Sequence, residues 1–140
     1  MTRIDFYTHV KDQVLVAQKL IQKAWEQKKT IWVRTATQHQ AETLDALLWQ
    51  INPTSVIPHC LSNDPIANEV PIVIDCAGQT PWHHDCLVNL HPERFDYFAR
   101  FQRLLEIVSI DEQDRQAARL RFQYYRDRGF EIYTHDLSRK

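Results

Sequence analysis

The sequence predicts an α/β fold, a mainly parallel sheet with helices on both faces. Three observations carry this. Short apolar runs alternate with stretches whose apolar residues recur every three or four positions, strand–helix–strand–helix through the first half. Such alternation lays successive strands parallel and returns each helix over the sheet. Val70–Asp75 (V-P-I-V-I-D) is a continuous apolar run, the signature of a strand covered on both faces. The length of 140 residues, 44% of them hydrophobic, suits one domain over 1–140 with a substantial core.

Taken in order, Arg3–Thr8 (R-I-D-F-Y-T) alternates polar and apolar residues rich in strand formers, so it reads as the first strand. From Lys11 to Gln27, Val14, Ala17, Ile21, Ala24 and Trp25 recur at helical spacing, giving a first helix with one buried stripe. Thr30–Arg34 (T-I-W-V-R) is a second, interior strand. Thr37 and Gln40 form a capping-box pattern that opens a second helix, with Ala41, Leu44, Leu48 and Ile51 on one side and Pro53 ending it. Asn52–Glu69 holds three prolines and the cluster S-N-D-P, so it is mostly loop, with one short edge strand expected at Val56–Ile57. Val70–Asp75 is the expected central strand. Gly78–Asp85 is a turn-rich connection, Cys86–Leu90 a strand, Pro92–Phe101 a short aromatic-rich helical segment, and Leu104–Val108 a strand leading into the last helix.

Several function classes are excluded or weakened by what the chain lacks. Only two glycines occur, Gly78 and Gly129, and the first strand-to-helix turn reads Y-T-H-V-K-D. The sheet is therefore Rossmann-like in plan but has no nucleotide-binding loop, neither G-x-G-x-x-G nor G-K-[ST]. Net charge is −1, so no whole-protein field attracts nucleic acid. Three cysteines without paired spacing, and no long apolar run, point to a reduced, cytoplasmic protein with no membrane span. His83, His84 and Cys86 lie close together, but adjacent histidines on an extended segment face opposite ways, so no metal and no cofactor are expected. Nothing marks a Cys–His nucleophile pair such as Cys76 with His59. Asp75 ends the expected central strand, where α/β enzymes often place a catalytic carboxylate. An enzyme with a site near Asp75 is the alternative reading.

The last helix is the most distinctive stretch, S-I-D-E-Q-D-R-Q-A-A-R-L-R-F-Q-Y-Y-R-D-R-G-F. Ser109 and Glu112 have capping-box spacing, and Gly129 supplies the left-handed position that stops a helix, with Phe130 packing back. At about 100° per residue, Ala117, Leu120 and Tyr124 share the side expected to pack. Arg115, Arg119, Phe122 and Arg126 share the opposite side, at the spacing of helix neighbours. A solvated face has no need of an aromatic ring among its arginines. Arginines around a ring suit an acidic peptide or a phosphate backbone: forked donors for the anion, apolar area for a side chain or base. Direct binding of single-stranded nucleic acid is thus a further alternative, against which the near-neutral charge speaks. Trp49, near the end of the second helix, is either core or, with Val56, an exposed apolar patch of the kind that marks a protein–protein site.

The F-Y-T of the first strand, the L-D-A-L-L-W ending at Trp49, the V-I-P-H-C-L around Pro58 and the A-R-L-R-F-Q-Y-Y-R-D-R-G-F of the last helix together resemble the chi subunit of bacterial DNA polymerase III, over nearly the whole chain. The resemblance implies a non-catalytic accessory protein of the clamp-loader assembly. It implies two partners: the psi subunit, and the acidic C-terminal tail of the single-stranded-DNA-binding protein (SSB), through which DNA is contacted indirectly. On the family's pattern the tail site falls on Arg115, Arg119, Arg121 and Phe122, to which the spacing adds Arg126. The psi-binding face falls on Trp49 and Val56. Phe122 stands where a tyrosine is usual, and Gln123 where a lysine can occur.

Overall fold

The computed structural model describes residues 1–50 and 57–138. Seven strands form one sheet: β1 (Arg3–Val10), β2 (Ile31–Arg34), β3 (His59–Leu61), β4 (Ile72–Asp75), β5 (Cys86–Asn89), β6 (Arg103–Ser109) and β7 (Glu131–Asp136). Their order is β3-β4-β2-β5-β6-β1-β7, and every pairing is parallel. The expected α/β class therefore holds, with a sheet that is wholly parallel among the described strands. The α-helices are α1 (Gln13–Glu26), α2 (Gln38–Gln50) and α3 (Glu112–Asp127).

Strand alternation builds two cores. Ile31, Val33, Ile72, Ile74, Val88, Leu105 and Ile107 face one side, where Ala17 and Ile21 of α1 and Ala41, Leu44 and Leu48 of α2 cover them. Trp32, Val73, Leu87, Leu104 and Val108 face the other. There α3 and the aromatic segment with Phe95, Phe98 and Phe101 cover them. The period of two in the strands against 3.6 in the helices is what makes a two-sided α/β layer.

Several details differ from expectation. The edge strand falls at β3, beyond the expected Val56–Ile57. Ile57 is buried but outside any strand, and Val56, like Ile51, lies outside the described residues. The Val70–Asp75 run supplies β4, buried throughout, yet second from the edge; β5 is central. The sequence reading contained no β7. It is an edge strand with one neighbour and mostly exposed residues, so it lacks the apolar run that marks interior strands.

Helix ends follow local chemistry. Thr37 Oγ1 accepts from Gln40 N at 3.1 Å, while the Gln40 side chain accepts from Ala36 N at 2.8 Å, one residue earlier than in the ideal box. The α3 cap is shifted from Ser109/Glu112: Asp111 accepts from Asp114 N at 3.1 Å, and the Asp114 carboxylate accepts from Ser109 N at 2.8 Å. A carboxylate caps as well as a hydroxyl and in addition its charge complements the helix dipole. At the other end Gly129 adopts φ 80°, Gly129 N donates to Arg126 O at 3.0 Å and Phe130 N to Tyr125 O at 3.1 Å, a Schellman closure.

Candidate protein-binding site

α3 packs through Ala118, Arg121 and Tyr125 rather than through Ala117, Leu120 and Tyr124. Leu120 is 70% exposed. The packed seam lies about one residue, or 100°, round the helix from the expected one. The arginine stripe therefore flanks the seam instead of facing away from it. A stripe opposite the sheet would be a convex surface; a stripe beside the seam makes one wall of a groove.

That groove has a volume of about 520 Å³ and runs between α3 and the sheet edge formed by β1 and β7. Arg115, Arg119, Phe122 and Arg126 line it from the helix, as do Phe6, Thr8 and His9 from β1 and Thr134 from β7. Four of the five residues assigned to the tail site thus converge on one concavity. No carboxylate lines it among the described residues. Its floor is apolar: Phe122 is half-buried against Phe6, ring centroids 5.4 Å apart and tilted by 58°. The acids paired with its arginines are exposed ones on α3. Glu112 lies 3.3 Å from Arg115 and 3.8 Å from Arg119, and Asp127 lies 3.8 Å from Arg126. Exposed pairs of this kind are worth about 0–1 kcal/mol, so an incoming carboxylate competes with them easily.

A family model described as DNA polymerase III chi subunit, HolC, matches residues 1–133. The chain belongs to the DNA polymerase III chi subunit family. It is 33% identical to the DNA polymerase III subunit chi of Pseudomonas aeruginosa over 143 residues, covering 99% of each chain. It is 28% identical to that of Haemophilus influenzae, over 87% of this chain and 85% of the relative. It is 26% identical to that of Escherichia coli K12, over 79% and 76%.

The fifth residue assigned to the tail site, Arg121, is only 4% exposed and does not line the groove. Its guanidinium sits 3.2 Å from the fully buried Glu106 of β6 and donates to Pro92 O. Glu106 also accepts from Tyr125 Oη at 2.6 Å and from Asn89 Nδ2 at 2.7 Å. Burial and the neighbouring carboxylate push the Tyr125 hydroxyl far above its ordinary value, so it stays a proton donor to Glu106. This network pins α3 to the sheet at a fixed rotation, and with it the groove wall. In the sequence the signal was Glu106 itself, an acid inside the apolar run L-L-E-I-V, which a buried strand tolerates only with a partner.

Trp49 is 55% exposed at the end of α2, at the opposite sheet edge. Its ring lies 4.4 Å from that of His59 in β3. His59 is fixed in turn, with Nδ1 2.6 Å from Ile57 O and Nε2 3.1 Å from Asp45 O. The indole is therefore held on a firm base and presented outward. Val56, its expected companion, is outside the described residues.

The residues of the alternative readings are placed apart. Asp75 is fully buried, and its carboxylate accepts from Ser62 Oγ at 2.7 Å and from the backbone N–H groups of Ala77, Gly78 and Gln79 at 2.9–3.2 Å. Those four donors give it the role of organising the turn after β4. Cys76 donates its thiol to Gln38, not to His59. His83 Nε2 lies 2.7 Å from Val70 O. Among the described residues no cluster of three His, Cys, Asp or Glu side chains could hold a metal ion, and no helix is long and apolar enough to cross a membrane.

Proposed function

We propose that this chi-family chain is a non-catalytic, cytoplasmic adaptor of the replisome. It joins the clamp loader, through the psi subunit, to the acidic C-terminal tail of SSB, and DNA is contacted through that protein. The observation that carries the reading is the carboxylate-free groove, with three arginines around the half-buried Phe122. An acidic tail that ends in an apolar residue and a free carboxylate needs those elements: a planar fork for the terminus, apolar area for the last side chain, and spare positive charge for the acids before it. Arg119 takes the carboxylate, Phe122 seats the apolar side chain, and Arg115 and Arg126 face the preceding acids. Arg121 serves the same site from behind, by holding the helix. Trp49, with Val56, forms the psi-binding face; exposed and rigidly backed, it suits a partner's apolar surface.

Calorimetric titration with the C-terminal peptide of the cognate SSB tests the first face. Binding is expected in the micromolar range, weakening as salt rises because the contacts are exposed ion pairs. Arg119→Ala is expected to weaken it about ten- to hundredfold, the worth of one or two charge-assisted hydrogen bonds, with the circular dichroism spectrum unchanged. Salt-independent binding, or full affinity in Arg119→Ala, refutes the site. For the second face, Trp49→Ala should abolish co-elution with psi while leaving tail binding intact.

A further inference from the structure

The groove under α3 shares one wall residue, His9, with a second cavity across the sheet edge. This second groove, of about 510 Å³, lies on the other face, between α1 and the β1/β7 edge. Val10, Val16, Leu20 and Leu137 give it an apolar floor, and Lys11, Lys19 and Lys23 stand exposed along its rim. His9 lines both grooves. It can do so because the backbone there is left-handed, φ 58°, and β1 breaks register with β6 between Tyr7 and Val10. Both α1 and α3 follow directly on the strands before them, so both begin at the C-terminal end of this parallel sheet. Arg115, one turn into α3, and Lys11, just before α1, therefore lie at the same end as His9.

We infer that an acidic peptide bound in the first groove continues over His9 into the second, where the lysines of α1 receive acidic side chains upstream of its terminus. The inference rests on the proposed function and extends its footprint. Length supports it. Arg115 to Arg126 spans eleven helical steps, about 16 Å, which an extended peptide covers in about five residues. A longer acidic segment must leave the first groove, and His9 is the residue that groove shares with the second. The chemistry divides in the same way: arginine forks in the first groove suit a terminal carboxylate, whereas lysine point charges suit scattered side-chain carboxylates. The two acids at the crossing are engaged. Asp136 lies 2.9 Å from His9 Nδ1 and accepts from Ser138 N at 2.8 Å, while Asp12 caps α1 through Leu15 N at 3.2 Å. A carboxylate-bearing peptide fits better than a nucleic acid: Tyr7, the groove's aromatic, is already stacked on His135 at 4.6 Å and presents that face to no base.

Fluorescence anisotropy on the full chain tests this with two peptides sharing a free C-terminal aromatic residue. One has five residues with two acids; the other carries a further seven-residue acidic extension at its N-terminus. The long peptide is expected to bind about tenfold tighter, the sum of a few exposed ion pairs. Lys19→Glu/Lys23→Glu should reduce it to the short peptide's affinity and leave the short peptide unaffected. Arg119→Ala should weaken both. Equal affinity of the two peptides, or a long peptide indifferent to the lysine changes, overturns the inference and leaves the first site standing. An extension with serines in place of its acids that binds as tightly also overturns it. So does a labelled oligothymidylate that binds wild type and is lost in the lysine variant, since the second groove would then be a phosphate site. Failure of both peptides to bind wild type removes the tail site itself.

Discussion

Arg121 gives the sharpest test of how this fold supports its groove. Replacing it with alanine removes the guanidinium 3.2 Å from Glu106, whose carboxylate is 0% exposed. Tyr125 and Asn89 still donate to Glu106, but no other cationic group lies within 4 Å of it among the described residues. Breaking a buried pair from one side costs about 3–5 kcal/mol, because the remaining charge stays desolvated. For a domain whose total stability is about 5–15 kcal/mol, the loss is severe. At about 3–4 °C per kcal/mol for a chain of this size, the melting temperature should fall by about 10–20 °C. Urea unfolding followed by circular dichroism measures the free-energy loss directly. Glu106→Gln/Arg121→Met, which removes both charges at similar volume, should recover most of the loss. A fall below about 1 kcal/mol for Arg121→Ala would refute the network as the anchor of α3. If Arg121→Ala kept full stability but lost tail binding, its role would be direct contact, and the placement behind the helix would be wrong.

Two further expectations follow from buried ionisable groups. Burial pushes the Asp5 carboxyl up, but hydrogen bonds from His135, Arg3 and Arg103 outweigh it and hold the group below the usual carboxylate range. A depressed folded value means a stabilising contribution that is present above the unfolded value of about 3.9 and lost as pH falls through the lower folded one. Asp5→Asn should therefore be less stable at pH 7 and lose less on acidification below about pH 4, as thermal melts across that range would show; parallel pH profiles would remove Asp5 from the account. For the thiols, burial raises Cys60 and pushes Cys86 up to about 12, whereas Cys76 is only partly buried. A thiol-titrating disulfide reagent at pH 8 should modify one cysteine quickly in the native chain and three in denaturant; rapid reaction of all three would show that the sheet opens readily.

The sheet was legible because its strands are apolar runs and its helices amphipathic; both patterns are dictated by burial and need no partner to be named. What was illegible came from pairing between distant residues. The rotation of α3 was misread because arginine is ordinarily a surface residue, so Leu120 looked like the inward side chain and Arg121 an outward one. Glu106, separated from Arg121 by fifteen positions, reverses that assignment. Its presence in an apolar strand was the available clue. β7 was missed for the opposite reason: an edge strand with one neighbour need not be apolar, and E-I-Y-T-H-D carries no run long enough to stand out. Yet β7 lines the arginine groove through Thr134, so that part of its wall was absent from a reading that had its three arginines and its aromatic ring. The Trp49 alternative, core or patch, turned on whether anything covered the indole, and only the packing of α2 against β3 could decide that.

The two proposed partner faces gain their meaning from the order of the strands. Trp49 rests on His59 of β3, and the arginine groove borders β7; these strands are the two ends of the sheet. Six inter-strand steps of about 4.8 Å separate them, close to 30 Å. Parallel strands bury their backbone hydrogen bonds and both faces, so the described sheet between the two faces is a close-packed layer that resists deformation. Coupling between sites requires a bistable element. A sheet of this kind instead holds two ligands at a fixed distance without letting either change the affinity for the other. For the proposed adaptor that is the useful property: attachment at one edge can be long-lived while contact at the other, built from exposed arginines and screened by salt, forms and breaks freely.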